Sequence, residues 1–171
     1  MKVDFVICGT QKGGTTALDS YLREHPEVCM ASRKEVHFFD TEENFTESPP
    51  DYSNYHAWFS PLLSHRVLGE ATPIYMYWNQ APNRMHAYNP DMKIVIMLRC
   101  PIQRAFSHWN MERTRGNETL SFWEALMHEK ARLDLALPNQ QRVYSYVDRG
   151  FYTHSSCNGL HATLVRIKFS F

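Results

Sequence analysis

The segment that most restricts this chain lies at its start. The β-branched, apolar residues 3–8 run into Gly9-Thr10-Gln11-Lys12-Gly13-Gly14-Thr15-Thr16, and a helix-like pattern continues to about Glu24. Such a run reads as a buried strand, and the Gly-rich stretch after it as a tight turn into a helix. Backbone N–H groups and the positive end of the helix dipole then converge on one point, an arrangement that binds phosphate-like anions. Gly13 and Gly14 permit close backbone approach, Lys12 supplies charge, and Thr15 and Thr16 can cap the helix or donate to phosphate oxygens. A Gly-rich turn alone can merely start a helix; strand, lysine and paired threonines in register point instead to an anion cradle. The nucleotide-triphosphatase loop GxxxxGK[ST] places its lysine after the last glycine, whereas Lys12 precedes the glycine pair. A P-loop nucleoside-phosphate kinase is therefore a weaker alternative.

Further strands are predicted at residues 28–31, 66–70 and 93–98, with helices at 79–88 and 101–115, the latter carrying Pro101 in its first turn. Strands alternating with helices predict an α/β fold with a mostly parallel sheet covered on both faces. Residues 121–135 show helical spacing of Phe122, Leu126, Met127 and Leu133, with Ser121 and Glu124 placed as a capping box. Residues 41–61, rich in acids, prolines and aromatics (Tyr52, Tyr55, Trp58, Phe59), read as a long excursion of the kind that lines a binding cleft.

With 171 residues, 43% of them hydrophobic, the chain has the apolar material for one domain with a core. Eighteen basic residues balance eighteen acidic ones, so no nucleic acid or anionic membrane is indicated and any anion site must be local. The apolar residues 5–8 are too few for a signal segment or a membrane span, which gives a cytoplasmic expectation. Cys8, Cys29, Cys100 and Cys157 show no CxxC pairing and no zinc-like spacing, so no metal is expected.

Lys12-Gly13-Gly14-Thr15-Thr16-Ala17-Leu18 after an apolar strand resembles the 5′-phosphosulfate loop of sulfotransferases that use 3′-phosphoadenosine 5′-phosphosulfate (PAPS). Arg33-Lys34-Glu35-Val36-His37-Phe38-Phe39-Asp40 resembles the segment carrying the acceptor-activating acid in the heparan sulfate and related bacterial branch, and Gly69-Glu70-Ala71-Thr72-Pro73-Ile74-Tyr75 its substrate-side segment. Residues 98–108 resemble the 3′-phosphate motif, in which an arginine at a strand end, here Arg99, and a serine eight residues later, here Ser107, bind the nucleotide. The resemblance spans residues 3–152 and implies a P-loop-like three-layer α/β/α fold. Two departures stand out: Cys100 replaces the acid that often follows the arginine, and Ala71 replaces a lysine common in the substrate segment.

The activity so implied is transfer of a sulfuryl group from PAPS to a hydroxyl or amine of an acceptor, with a glycan among the acceptors that the resemblance implies. Lys12 is then expected to stabilise the bridging oxygen while Gly13, Gly14, Thr15 and Thr16 hold the 5′-phosphate, and Arg99 and Ser107 the 3′-phosphate. Independently of the family, an arginine at the carboxyl end of a parallel strand lies where open α/β sheets bind ligands. Glu35 is the expected general base, with His37 as partner or alternative base; alternation on an extended backbone would put both on one face.

The resemblance weakens after His154, where the family continues into a helix and a core strand that residues 155–171 do not show. Residues 1–154 are read as the N-terminal and central part of the domain and 155–171 as an aberrant tail, consistent with an incomplete fold or a truncated, non-catalytic remnant. The expected origin of the tail is a shift of reading frame after His154. The coding DNA is expected to encode an amphipathic helix and a strand in a shifted frame, and an unrelated or interrupted shifted reading overturns this.

Overall fold

The computed structural model describes residues 1–152 and 162–163. Its centre is a sheet of five parallel strands in the order β2-β3-β1-β4-β5. These are β1 (Phe5–Gly9), β2 (Val28–Met30), β3 (Val67–Ala71), β4 (Lys93–Ile96) and β5 (Ala162–Thr163). Helices α1 (Thr15–Arg23), α2 (Ser53–His56), α3 (Ala81–Tyr88), α4 (Pro101–Thr114) and α5 (Phe122–Ala136) complete the described part. The α/β architecture with a parallel sheet expected from the sequence is what forms.

Period-two alternation sends successive residues of each strand to opposite faces. Ile7 and Val95 pack with Leu18 and Leu22 of α1, while Val6, Cys8, Ile94 and Ile96 pack on the other face with Met85 and Tyr88 of α3. Helix α5 begins with the expected capping box: the Ser121 N–H donates to Glu124 Oε2 at 2.9 Å, and the Glu124 N–H donates to Ser121 Oγ at 3.5 Å.

Two expectations need correction. In the largely exposed excursion at residues 41–61, two of the aromatics are core residues. Tyr55 and Phe59 are buried, and Tyr55 packs against Phe38, Phe39 and Tyr88 at ring separations of 4.9, 5.1 and 5.5 Å. The aromatic content that suggested a binding surface serves burial, and Tyr55 is accommodated because its hydroxyl donates to Glu70 Oε1 at 3.0 Å. The second correction is in the tail, where no strand was expected: Ala162–Thr163 pairs with Ile94 and Val95 of β4. The open edge of β4 offers backbone donors and acceptors that any extended segment can meet. The remainder of the tail expectation lies outside the described residues.

Glu70, in β3, is fully buried and accepts from Tyr55 and, at 2.6 Å, from Thr72 Oγ1. Burial outweighs these bonds and raises its carboxyl from 4.5 to about 7. The folded state therefore holds a proton that the unfolded chain releases near 4.5, so this group's contribution to stability is greatest at low pH and declines as pH rises through about 7. The stability of Glu70→Gln relative to the native chain is expected to rise by roughly 3 kcal/mol between pH 4 and pH 8. Urea unfolding at the two pH values checks this; a constant difference contradicts it.

Candidate active site

The cleft forms at the carboxyl ends of β1 and β4, where the strand order places one neighbour on each side of β1. Beyond the strands the ladder continues: the Met97 N–H donates to Gly9 O at 2.9 Å, and the Thr10 N–H to Met97 O at 2.8 Å. The Gly13 N–H then closes the turn on Thr10 O at 2.8 Å. A Cβ on Gly13 would lie 2.6 Å from Met97 O, so no other residue fits without moving backbone. Lys12 (φ 68°) and Gly14 (φ 99°) are left-handed, which reverses the chain into α1. Gly14 is the N-cap and no side chain caps the helix, so Thr15 and Thr16, the first helical residues, do not serve as caps.

A cleft of 1280 Å³ is bordered by Lys12, Gly14, Thr15, Thr16, Glu35, His37, Arg99 and Ser107. The structure thus gathers every candidate named from the sequence around one space except Gly13, which lies behind the loop against Met97. Arg99 is exposed, three residues past β4, and its Nη1 donates to Lys12 O at 3.2 Å. Seven Lys or Arg side chains border the cleft against three carboxylates, Asp19, Glu35 and Glu112. Asp19 is paired with Arg23 at 2.8 Å and Glu112 with Arg115 at 3.1 Å. A chain of zero formal net charge therefore presents a locally positive cavity.

On the opposite wall, Glu35 and His37 meet, but not on an extended backbone. His37 is left-handed (φ 59°), and its ring turns back so that Nε2 lies 3.4 Å from Glu35 Oε2. The turn is stabilised by Asp40, three residues on, whose Oδ2 lies 3.0 Å from His37 Nδ1. The hydrogen bond to Asp40 raises the His37 pKa, against desolvation. Asp40 is fully buried, yet hydrogen bonds from His37 and Arg142 keep its carboxyl below the ordinary range against the opposing effect of burial.

The Gly69–Tyr75 segment supports this wall from beneath. Thr72 Oγ1 accepts from the Val36 N–H at 3.0 Å, and the Tyr75 hydroxyl accepts from the Phe38 N–H at 2.9 Å. Glu70, Thr72 and Tyr75 face the core, whereas Pro73 and Ile74 border the cleft.

Asp40, Arg142 and Arg149 were not singled out from sequence. Asp40 had a signal in its spacing of three from His37, and Arg149 lies in the stretch up to His154 that resembles the family, though without an assigned role; Arg142 had no signal. Both arginines border the cleft, and Arg149 is buried. No helix among the described residues is long and apolar enough to cross a membrane.

Comparison with known proteins identifies the family. Residues 2–148 match the family model described as a sulfotransferase domain. The chain is 30% identical over 133 residues to the membrane-associated sulfotransferase kil1 of Dictyostelium discoideum, covering 75% of this chain and 28% of that protein. It is 38% identical over 117 residues to human heparan sulfate glucosamine 3-O-sulfotransferase 6, covering 65% and 31%. It thus spans about a third or less of these relatives' length. The crystal structure of a sulfotransferase from Alicyclobacillus acidocaldarius superposes with a TM-score of 0.79 at 29% identity, covering 97% of this chain and 73% of that one. The chain belongs to the sulfotransferase family.

Proposed function

We propose that this chain transfers a sulfuryl group from PAPS to a hydroxyl or amine of a carbohydrate acceptor. The observation that carries this reading is the placement of Lys12, Thr15 and Thr16, of Arg99 and Ser107, and of Glu35 with His37 around one positively lined cleft. The glycan acceptor is supported by the heparan sulfate glucosamine sulfotransferases among the relatives.

The residues present suit a bisphosphate. The loop backbone leaves no room for a Cβ at Gly13, and Lys12 and Arg99 stand at adjacent strand ends with hydroxyls following each. Lys12, Thr15, Thr16 and the amides at the start of α1 hold the 5′-phosphosulfate end, and Arg99 and Ser107 hold the 3′-phosphate. Bound there, PAPS supplies an activated sulfuryl group, and the protein's task is alignment and charge stabilisation. Glu35 accepts the proton of the acceptor hydroxyl or amine as that atom forms its bond to sulfur. Lys12 stabilises the electron pair left on the oxygen of the departing adenosine 3′,5′-bisphosphate. His37, favoured in its protonated form by Asp40, lies 3.4 Å from Glu35 and orients it, which leaves the base role to Glu35.

Calorimetric titration of adenosine 3′,5′-bisphosphate tests the nucleotide site. Lys12→Ala and Arg99→Ala are each expected to weaken binding by roughly tenfold or more, the scale of a lost hydrogen bond to a charged group. Absence of binding by the folded native chain would falsify the reading. Gly13→Ala removes no polar group, yet is expected to weaken the same binding by displacing the loop from Met97; unchanged affinity would show that the loop's close packing is dispensable. Turnover of radiolabelled PAPS with a mixed set of glycan acceptors tests the chemistry. Glu35→Gln is expected to lower it by roughly a hundredfold or more while bisphosphate affinity is retained, and full turnover in that variant removes Glu35 from the base role.

A further inference from the structure

Gln11 belongs to the loop between β1 and α1 and borders the same cleft as Lys12 and Glu35, yet it has no part in the mechanism above. Its Oε1 accepts a hydrogen bond from Arg149 Nη1 at 2.5 Å. Arg149 is 4% exposed, its guanidinium lies 4.6 Å from the centre of the Tyr77 ring, and its Nη2 donates to Arg142 O at 2.8 Å. A guanidinium has donors only, so the end of the Gln11 carboxamide that meets it must be the oxygen. The amide nitrogen is thereby left at the other end, and among the described residues it donates to no protein group.

Position favours the reacting end of the cleft over the nucleotide end. Gln11 precedes Lys12 on the β1 side of the turn, whereas Thr15 and Thr16 follow it into α1. Glu35 is among the charges acting on Arg149, which puts the Gln11–Arg149 pair within electrostatic reach of the base. A sulfuryl group spreads little charge over three oxygens, so a neutral, fixed N–H donor suits it where a further cation is not needed.

We propose that Gln11 contacts the sulfuryl group of the donor, its Nε2 donating to a non-bridging sulfuryl oxygen, and that Arg149 is the positioning residue that sets the carboxamide in that orientation. This rests on the sulfuryl-transfer reading of the cleft. Because Arg149 acts through Gln11, the two share one effect.

The test compares two ligands that differ by the sulfuryl group, PAPS and adenosine 3′,5′-bisphosphate, by calorimetry on the full chain. Gln11→Met removes the donor without adding charge. Gln11→Glu also removes it but preserves an acceptor for Arg149, which protects the fold. In both, the ratio of PAPS affinity to bisphosphate affinity is expected to fall roughly tenfold. Arg149→Met is expected to lower the ratio to the same extent, with no further fall in the Gln11→Met, Arg149→Met double variant. An unchanged ratio in Gln11→Glu overturns the contact. An Arg149→Met chain with a lower Tm but an unchanged ratio overturns the positioning role. Failure of the native chain to bind bisphosphate at all is a separate result, which removes the reading of the cleft itself.

Discussion

The cleft depends on the parallel pairing of β1 with β4. Parallel neighbours end at the same edge of a sheet, so the residues just beyond them emerge side by side although 87 positions separate Lys12 from Arg99 in the chain. The backbone continues that pairing past both strands through Gly9, Thr10 and Met97. The missing side chain at Gly13 lets the loop lie flat against Met97 O, and the left-handed turn at Lys12 and Gly14 then redirects the chain into α1. Charge is placed at both strand ends by backbone geometry, before any side-chain contact is considered.

The opposite wall is built differently. Glu35 and His37 lie on an irregular segment, and irregular backbone is held only where its polar groups find partners. Here the partners come from β3 and the turn after it: Thr72 and Tyr75 receive the N–H groups of Val36 and Phe38, and Glu70 beneath them receives Thr72 and Tyr55. The aromatic cluster of Phe38, Phe39, Tyr55 and Tyr88 fills the remaining volume. One wall is thus an extension of the sheet, and the other is a loop fastened to the core by hydroxyls.

This difference explains what was legible in the sequence. The strand, Gly-rich turn and helix follow from local rules, as does the capping box at Ser121 and Glu124, and both form as read. Lys12, Thr15 and Thr16 could be named from the turn that follows a strand end, and Arg99 and Ser107 from their place after β4 together with the family resemblance. The conformation of His37 was misread because its left-handed turn is set by a hydrogen bond to Asp40, and alternation patterns carry no information about such a bond. The burial of Tyr55 within residues 41–61 could not be read locally because its environment depends on Glu70, in a strand still to come. The contacts of Arg142 and Arg149 were invisible for a simpler reason. Their partners Asp40 and Gln11 lie 102 and 138 positions away, and no periodicity or spacing encodes such a pairing.

Those long-range bonds also order events during synthesis. As the chain leaves the ribosome, the first hundred residues can lay down the four longer strands of the sheet together with the anion loop. Asp40 must still await Arg142, and Gln11 must await Arg149. Contacts of such sequence separation carry a loop-closure cost and form late. The nascent protein therefore acquires a scaffold well before it acquires a finished cleft.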